Sequence, residues 1–211
     1  MNEPYNIIYN SEFTKQMHLL STAYERDPTG PEAALLVATL DAIDIVKRGE
    51  EAKHAGERLG FSKNHYDLRD CAEIKVELLD EHHPNGASMG PSHRLIYREF
   101  DPTDDDPRPI RQIIAFEHRK GGKPFKVAAE RLGRRQGFAA PELGGLSNIA
   151  PATGRKKDPN RPVQPHRLPL PPDLAVALAT AQKALPLPGA RPSERSVRTA
   201  DPPIRQWVRD R

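Results

Sequence analysis

The prolines of this 211-residue chain are concentrated towards its end, and their distribution most constrains how the chain folds. Thirteen of the 22 prolines follow residue 134, in stretches such as PATGRKKDPNRPVQPHRLPLPP. Because proline fixes φ and lacks a backbone N–H, it disfavours helix interiors and central strands. We therefore expect a folded domain over residues 1–134 and a proline-rich tail over 135–211. The tail is expected to be largely extended or disordered, with a short helix at 173–185 capped by Asp173.

Charge divides at the same boundary. The tail contains 13 lysines and arginines against six aspartates and glutamates, a net charge of +7, so residues 1–134 carry −4 and the whole chain +3. A nucleic acid would therefore have to bind the front domain through a local patch of cations. The lone Cys71 excludes an internal disulfide, and the sequence shows neither a secretion signal nor the roughly 18-residue apolar run of a membrane helix. We expect a cytoplasmic protein without a membrane partner.

The first half of the front domain predicts one strand followed by two helices. The apolar run at 5–9 predicts a short strand, and Ser11 is expected to cap the helix that follows. That helix is indicated by apolar residues at helical spacing, namely Phe13, Met17, Leu20 and Tyr24. Pro31, a residue suited to the first turn of a helix, predicts a second helix that continues to about Lys47.

The second half predicts three strands and a helix. LRDCAEIKVELL alternates apolar and polar residues, which indicates a strand buried on one side. HRLIYREF and IRQIIAFEHR are rich in β-branched or aromatic residues, and they predict two further strands in meander order. Lys123-Pro124 begins a last helix, FKVAAERLGR. The predicted class is α+β, with the order β-α-α-β-β-β-α.

This order and several short motifs resemble the RelE/ParE family of toxins from bacterial type II toxin–antitoxin systems. LRDCAEIKVEL followed by HRLIYREF is similar to the central strands of that family, and HRKGGKPFKVAAERL is similar to its last strand end and helix. The resemblance covers about 130 residues. It implies a RelE/ParE-like antiparallel sheet with an N-terminal helical pair and a C-terminal helix. It also implies that a cognate antitoxin is a partner.

RelE-like toxins cleave mRNA, so the resemblance implies a metal-independent and ribosome-dependent mRNA endonuclease that inhibits translation. Such cleavage needs a base for the ribose 2′-OH, cations for the transition state and an acid for the 5′ oxygen. By motif position, the candidate catalytic cations are Lys75, Arg94 and Arg119, and adjacent strands would let them converge on one phosphate. His118 is a further catalytic candidate, and the carboxylate of Glu73 is an alternative base.

Two positions depart from the family pattern. Glu73 replaces a lysine, and Phe125 replaces a tyrosine, so the ring can stack on a base but has no hydroxyl. The glycine pair at 121–122 would let the backbone approach a phosphate between neighbouring cations. The candidate RNA-binding residues are Arg98, Lys120, Lys123 and Phe125. We expect neither a metal nor a cofactor, since His82 and His83 lack partners at a zinc-like spacing.

Two other functions stay open from the sequence. ParE-like toxins poison DNA gyrase, and the missing lysine and tyrosine favour this activity as an alternative. A third possibility is a non-catalytic, toxin-like binding module whose basic tail contacts nucleic acid or a protein. The expected partners are thus mRNA and the ribosome, or gyrase, beside the antitoxin, and the sequence leaves open whether the chain is an enzyme.

Overall fold

The fold is mixed α+β, in agreement with the class predicted from the sequence. A computed structural model describes residues 4–147 and 163–184, and the chain divides into two units, Met1–Pro171 and Pro172–Arg211. The helices of the described residues are α1 Ser11–Arg26, α2 Pro31–Arg48, α3 Lys123–Arg131 and α4 Pro172–Ala184. The strands are β1 Asn6–Tyr9, β2 Glu57–Arg58, β3 Cys71–Val76, β4 His93–Phe100, β5 Ile110–His118 and β6 Arg167–Leu168. Within these ranges, no helix has the length and apolar character needed to cross a membrane.

The first two helices begin and end where their sequences supply the required termini. The side chain of Asn10 accepts a hydrogen bond of 3.0 Å from the amide of Glu12, so Asn10 is the cap of α1. Ser11, which the sequence predicts as that cap, is instead the first helical residue. Helix α2 has Pro31 in its first turn, and it is capped after Arg48 by Gly49, whose φ of 72° favours glycine.

The sheet is mixed, which corrects the prediction of an antiparallel sheet. Its order is β1-β5-β4-β3-β2, and the pairs among β2, β3, β4 and β5 are antiparallel as expected. Strand β1, however, is parallel to β5, and β6 is parallel to β4 beyond the end of β3. A parallel pair needs a long connection between its strands, and the intervening α1 and α2 provide one for β1.

Both faces of the sheet are covered, so the prediction that β3 is buried on one side is wrong. On one face, α1 and α2 pack against the sheet. The core between them consists of Phe13, Ala42, Ile43, Val46, Ala72, Ile74, Leu95, Tyr97, Ile113 and Phe116. On the other face, α3 contributes to a second core of Leu68, Cys71, Ile96, Ile114, Ala115 and Ala128. Cys71 is therefore 0% exposed although it lies on the polar side of the alternating pattern.

The packed part of the first unit continues beyond residue 134, where the sequence places the domain boundary. Leu143 is 0% exposed, and the amide of Ala140 donates a 2.9 Å hydrogen bond to Asp67. Further along, the hydroxyl of Tyr97 donates to the carbonyl of Val163 at 2.8 Å. Helix α4 occupies most of the range predicted as a short helix. The remaining parts of the expected extended tail, 148–162 and 185–211, lie outside the described residues.

A buried arginine connects the helical layer to the sheet. Arg111 on β5 is 0% exposed, and its guanidinium forms ion pairs with Glu51 and Glu99. The same group lies 3.3 Å above the ring centroid of Tyr5, a cation–π contact. Glu99 also accepts hydrogen bonds from Arg167 at 2.7 and 2.9 Å, which fixes β6 beside β4.

Candidate functional site

Lys75 and Arg94, two of the three predicted catalytic cations, are direct neighbours in the sheet. They are paired residues of the antiparallel strands β3 and β4. Because side chains alternate along a strand, they lie on the face opposite Ile74 and Leu95, which is the face that α3 covers. Their side chains are 23% and 15% exposed. The structure thus brings together two of the predicted cations at a partly accessible position.

Two glutamates accompany these cations. Glu73 on β3 is paired in register with Glu57 on the short strand β2. The Nζ of Lys75 lies 2.8 Å from Glu57 and 3.8 Å from Glu73, and the Nε of Arg94 lies 3.4 Å from Glu73. We call these four residues, Glu57, Glu73, Lys75 and Arg94, the Glu73 cluster. Its two cations are balanced by two carboxyl groups, so it differs from the purely cationic site expected from the sequence.

Glu73 has an altered acidity that suits proton transfer. Burial, and next the hydrogen bond with Glu57, raise the pKa of Glu73 from 4.5 to about 7, against the opposing charges of Arg94 and Lys75. A carboxyl group with a pKa near the ambient pH can both accept and return a proton. Because Glu73 is only 2% exposed, a substrate would have to displace part of its cover to reach it.

His118 and Arg119 belong to a second group of residues. The imidazole of His118 contacts the ring of His93 edge-on at 5.2 Å, and His93 stacks on the core residue Phe116. His118 therefore lies on the face opposite Lys75 and Arg94. Its Nε2 is 3.0 Å from one oxygen of Glu81, and Arg119 donates to the other oxygen at 3.1 Å. We call Glu81, His118 and Arg119 the Glu81 cluster.

The predicted RNA-binding residues have different surroundings. Arg98 donates to Gln112 at 2.8 Å, with Asp70 at 3.9 Å, and burial lowers the pKa of its guanidinium. Lys123 pairs with Glu117 at 2.6 Å. Lys120 is exposed and has no ion pair among the described residues. Phe125 packs against the second core.

Sequence reasoning missed the carboxylates that accompany the cations. Nothing in the polar stretch before β3 marks Glu57 as a strand residue, and Glu81 lies in a loop whose path the sequence does not determine. Glu117, in contrast, was predictable, because strand alternation places it, and not His118, on the same face as Arg94, its partner in register. In the ranges that the structure describes, no group of three or more His, Cys, Asp or Glu residues is arranged to bind a metal ion.

Neither the models of known protein families, nor curated proteins, nor solved structures gave a match to this chain.

Proposed function

We propose that this chain is the toxin of a type II toxin–antitoxin pair and that its first unit cleaves RNA at the Glu73 cluster in the cytoplasm. The observation that carries the proposal is the pairing of Lys75 with Arg94 around a carboxyl group whose pKa is about 7. The resemblance of the sequence to RelE/ParE toxins supports the same activity and a cognate antitoxin as partner. mRNA on the ribosome is the proposed substrate.

The proposed reaction uses a carboxyl pair for proton transfer. The carboxylate of Glu73 takes the proton of a ribose 2′-OH, whose oxygen then forms a bond to the adjacent phosphorus. The bond from phosphorus to the 5′ oxygen breaks, which leaves a 2′,3′-cyclic phosphate and a 5′-hydroxyl group. The pair then returns one proton to that leaving oxygen, since the hydrogen bond between Glu57 and Glu73 lets the two carboxyl groups share a proton.

Lys75 and Arg94 are the proposed phosphate ligands. Negative charge grows on the non-bridging oxygens during the attack, and cations placed beforehand stabilise it. The guanidinium of Arg94 is oriented by two hydrogen bonds from its NH1 to the carbonyls of Pro91 and His93, at 2.9 and 3.0 Å. Lys75, the more exposed of the two cations, supplies a compact charge beside it.

Cleavage of ribosome-bound mRNA by the purified chain tests this proposal. We expect Glu73→Gln, Lys75→Ala and Arg94→Ala each to reduce the cleavage rate by about 100-fold or more. Glu77→Gln is the matched control, because Glu77 is an exposed glutamate just after β3 and should leave the rate unchanged. Circular dichroism would verify that each variant is folded. Full cleavage by the folded Lys75→Ala/Arg94→Ala double variant would refute the proposed site.

A second function, binding of a protein target without cleavage, is favoured by a separate observation. Every predicted cation except Lys120 lies within 4 Å of a carboxylate, and His118 shares the carboxylate of Glu81 with Arg119. Paired cations attract a polyanion less than unpaired ones, so this surface suits a protein such as DNA gyrase better than an RNA chain. A supercoiling assay separates the two functions: inhibition of gyrase without cleavage of mRNA would support the ParE-like alternative.

A further inference from the structure

The carboxylate of Glu81 is held by two donors at once, in the manner of a bound anion. Oε1 is 3.0 Å from Nε2 of His118, and Oε2 accepts from the guanidinium of Arg119 at 3.1 Å. All three side chains are partly buried, at 18–28% exposure. Burial opposes ionisation, but the hydrogen bonds from His118 and Arg119 lower the pKa of Glu81 below its ordinary value. The carboxylate is therefore ionised where it meets the two donors.

The hydrogen bonds around His118 fix which of its nitrogens faces the anion as a donor. The amide of Lys120 donates to Nδ1 of His118 at 3.2 Å, so Nδ1 is an acceptor. In the neutral ring the proton is then on Nε2, which points at Glu81. A histidine and an arginine thus present N–H groups to the two oxygens of one carboxylate.

We propose that His118 and Arg119 form a binding site for an RNA phosphodiester, and that Glu81 occupies this site as an internal substitute until the RNA displaces it. A phosphodiester carries one negative charge on two non-bridging oxygens, and a carboxylate carries one negative charge on its two oxygens. The phosphodiester can therefore take over both hydrogen bonds. This inference rests on the proposed function as far as the ligand is RNA. It assigns to Glu81 the role of an autoinhibitory residue.

The loop that carries Glu81 is exposed along most of its length. Its C-terminal end is anchored at Ser92, whose hydroxyl accepts hydrogen bonds from the amides of Leu78 and Leu79 at 3.2 and 2.8 Å. Between these anchors, residues 82–89 are exposed, and Met89 is connected to Arg119 through its carbonyl. Rotation of the Glu81 side chain out of the site therefore breaks its hydrogen bonds to His118 and Arg119 but does not require the loop backbone to leave Met89.

The Glu81 cluster is a separate contact from the Glu73 cluster, since His118 lies on the face of the sheet opposite Lys75 and Arg94. The backbone amide of Arg119 donates to the carbonyl of Ser92 at 2.8 Å, which holds Arg119 beside the end of the loop that carries Glu81. A phosphate at His118 and Arg119 is therefore distinct from the one proposed at Lys75 and Arg94.

Affinity for a non-cleavable RNA tests the site in the full chain. The probe is a fluorescein-labelled single-stranded RNA with 2′-O-methyl groups, which lacks the attacking hydroxyl, and fluorescence anisotropy gives its Kd. We expect Glu81→Gln to bind about fivefold more tightly than the wild type, because the competing anion is removed. Asp80→Asn is the matched control: it removes the same charge from the same loop, on a side chain that is 81% exposed, and should change Kd by less than about twofold.

Two further variants keep the test decisive. Glu81→Asp retains the charge but has a shorter side chain, so it should also bind more tightly, independently of net charge. In the Glu81→Gln/Arg119→Ala double variant the gain should disappear, because the donor is missing. Equal effects of Glu81→Gln and Asp80→Asn, a gain that survives Arg119→Ala, or no measurable binding by any variant would each overturn the proposal.

Cleavage of unmodified RNA separates this inference from the proposed function. Tighter binding by Glu81→Gln without cleavage by any variant would refute the nuclease and leave the phosphate site in place. Cleavage that depends on Glu73, with the Kd unchanged in Glu81→Gln, would refute the phosphate site alone.

Discussion

Nε of Arg94 lies 3.4 Å from Oε2 of Glu73, within ion-pair distance, yet this oxygen has no hydrogen-bond partner among the described residues. The pair therefore compensates the buried carboxylate only in part. An ionised carboxyl group that is removed from water without full compensation is unfavourable, and protonation relieves the cost. This relationship explains why burial dominates the acidity of Glu73 in spite of two nearby cations, and it has a consequence for stability.

The stability of the protein should depend on pH through Glu73. Its pKa is raised from 4.5 to about 7 in the folded state, so the folded state binds this proton more strongly than the unfolded state does. The stabilisation is complete below pH 4.5 and is lost as the pH rises through 7. At about 1.4 kcal/mol per pKa unit, the loss is roughly 3 kcal/mol.

Urea unfolding of the wild type and Glu73→Gln at several pH values between 5 and 8 measures this effect. The free energy of unfolding of the wild type relative to the variant should fall as the pH rises, because glutamine does not titrate. The difference between the two proteins cancels the contributions of titrating groups outside the Glu73 cluster. A difference that is constant with pH, or one that rises with it, would contradict the raised pKa.

The buried Arg111 should be essential for stability. Arg111→Met keeps most of the side-chain volume but leaves Glu51 and Glu99 without their shared cation, and burial already raises the pKa of Glu51. Removal of one partner from a buried ion pair costs about 3–5 kcal/mol. Arg48→Met, at a partly exposed ion pair on α2, should cost less than about 1 kcal/mol. Urea unfolding at neutral pH gives both values, and similar losses for the two variants would be evidence against this role.

Leu143 should stabilise the first unit although it follows the proline boundary. Its side chain is 0% exposed, so Leu143→Ala leaves a cavity and should lower the free energy of unfolding by about 2–5 kcal/mol. Phe138→Ala is the control, because Phe138 is 62% exposed and its truncation should cost well under that amount. Thermal and urea unfolding of the full chain measure both. A Leu143→Ala variant as stable as the wild type would place residues 135–147 outside the cooperative unit.

The sequence predicted those parts of the fold that local patterns determine. The strand at 93–100 matches β4, and Pro31 begins α2 as expected. The parallel pairing of β1 with β5 could not be predicted, because a four-residue strand carries no information on a partner about 100 residues away. The packing of Leu143 was missed for a related reason: proline content argues against regular structure, and irregular chain can still bury apolar residues.

The candidate site was predicted in part for similar reasons. Alternation along β3 and β4 places Lys75 and Arg94 on one face, so their proximity follows from the sequence once the strands pair. The same alternation along β5 places His118 on the opposite face, and this separation could also have been predicted from the sequence. The contacts of Glu57 and Glu81 depend on the tertiary paths of a two-residue strand and a loop, and no local pattern records such paths.

Tyr97 should hold the segment after residue 162 against the sheet. Its hydroxyl is buried and donates to the carbonyl of Val163 at 2.8 Å, so Tyr97→Phe leaves that carbonyl without its partner and should cost about 0.5–1.5 kcal/mol. Arg167 is already partly exposed, and its side chain is paired with Glu99, so loosening of the segment should make the chain at Arg167 easier for trypsin to bind and cleave. We therefore expect faster tryptic cleavage after Arg167 in Tyr97→Phe, followed by mass spectrometry, and an unchanged rate in Tyr24→Phe, a change at a tyrosine that is 40% exposed. Equal cleavage rates in the two variants would show that β6 is retained by Arg167 and Glu99 without help from the tyrosine.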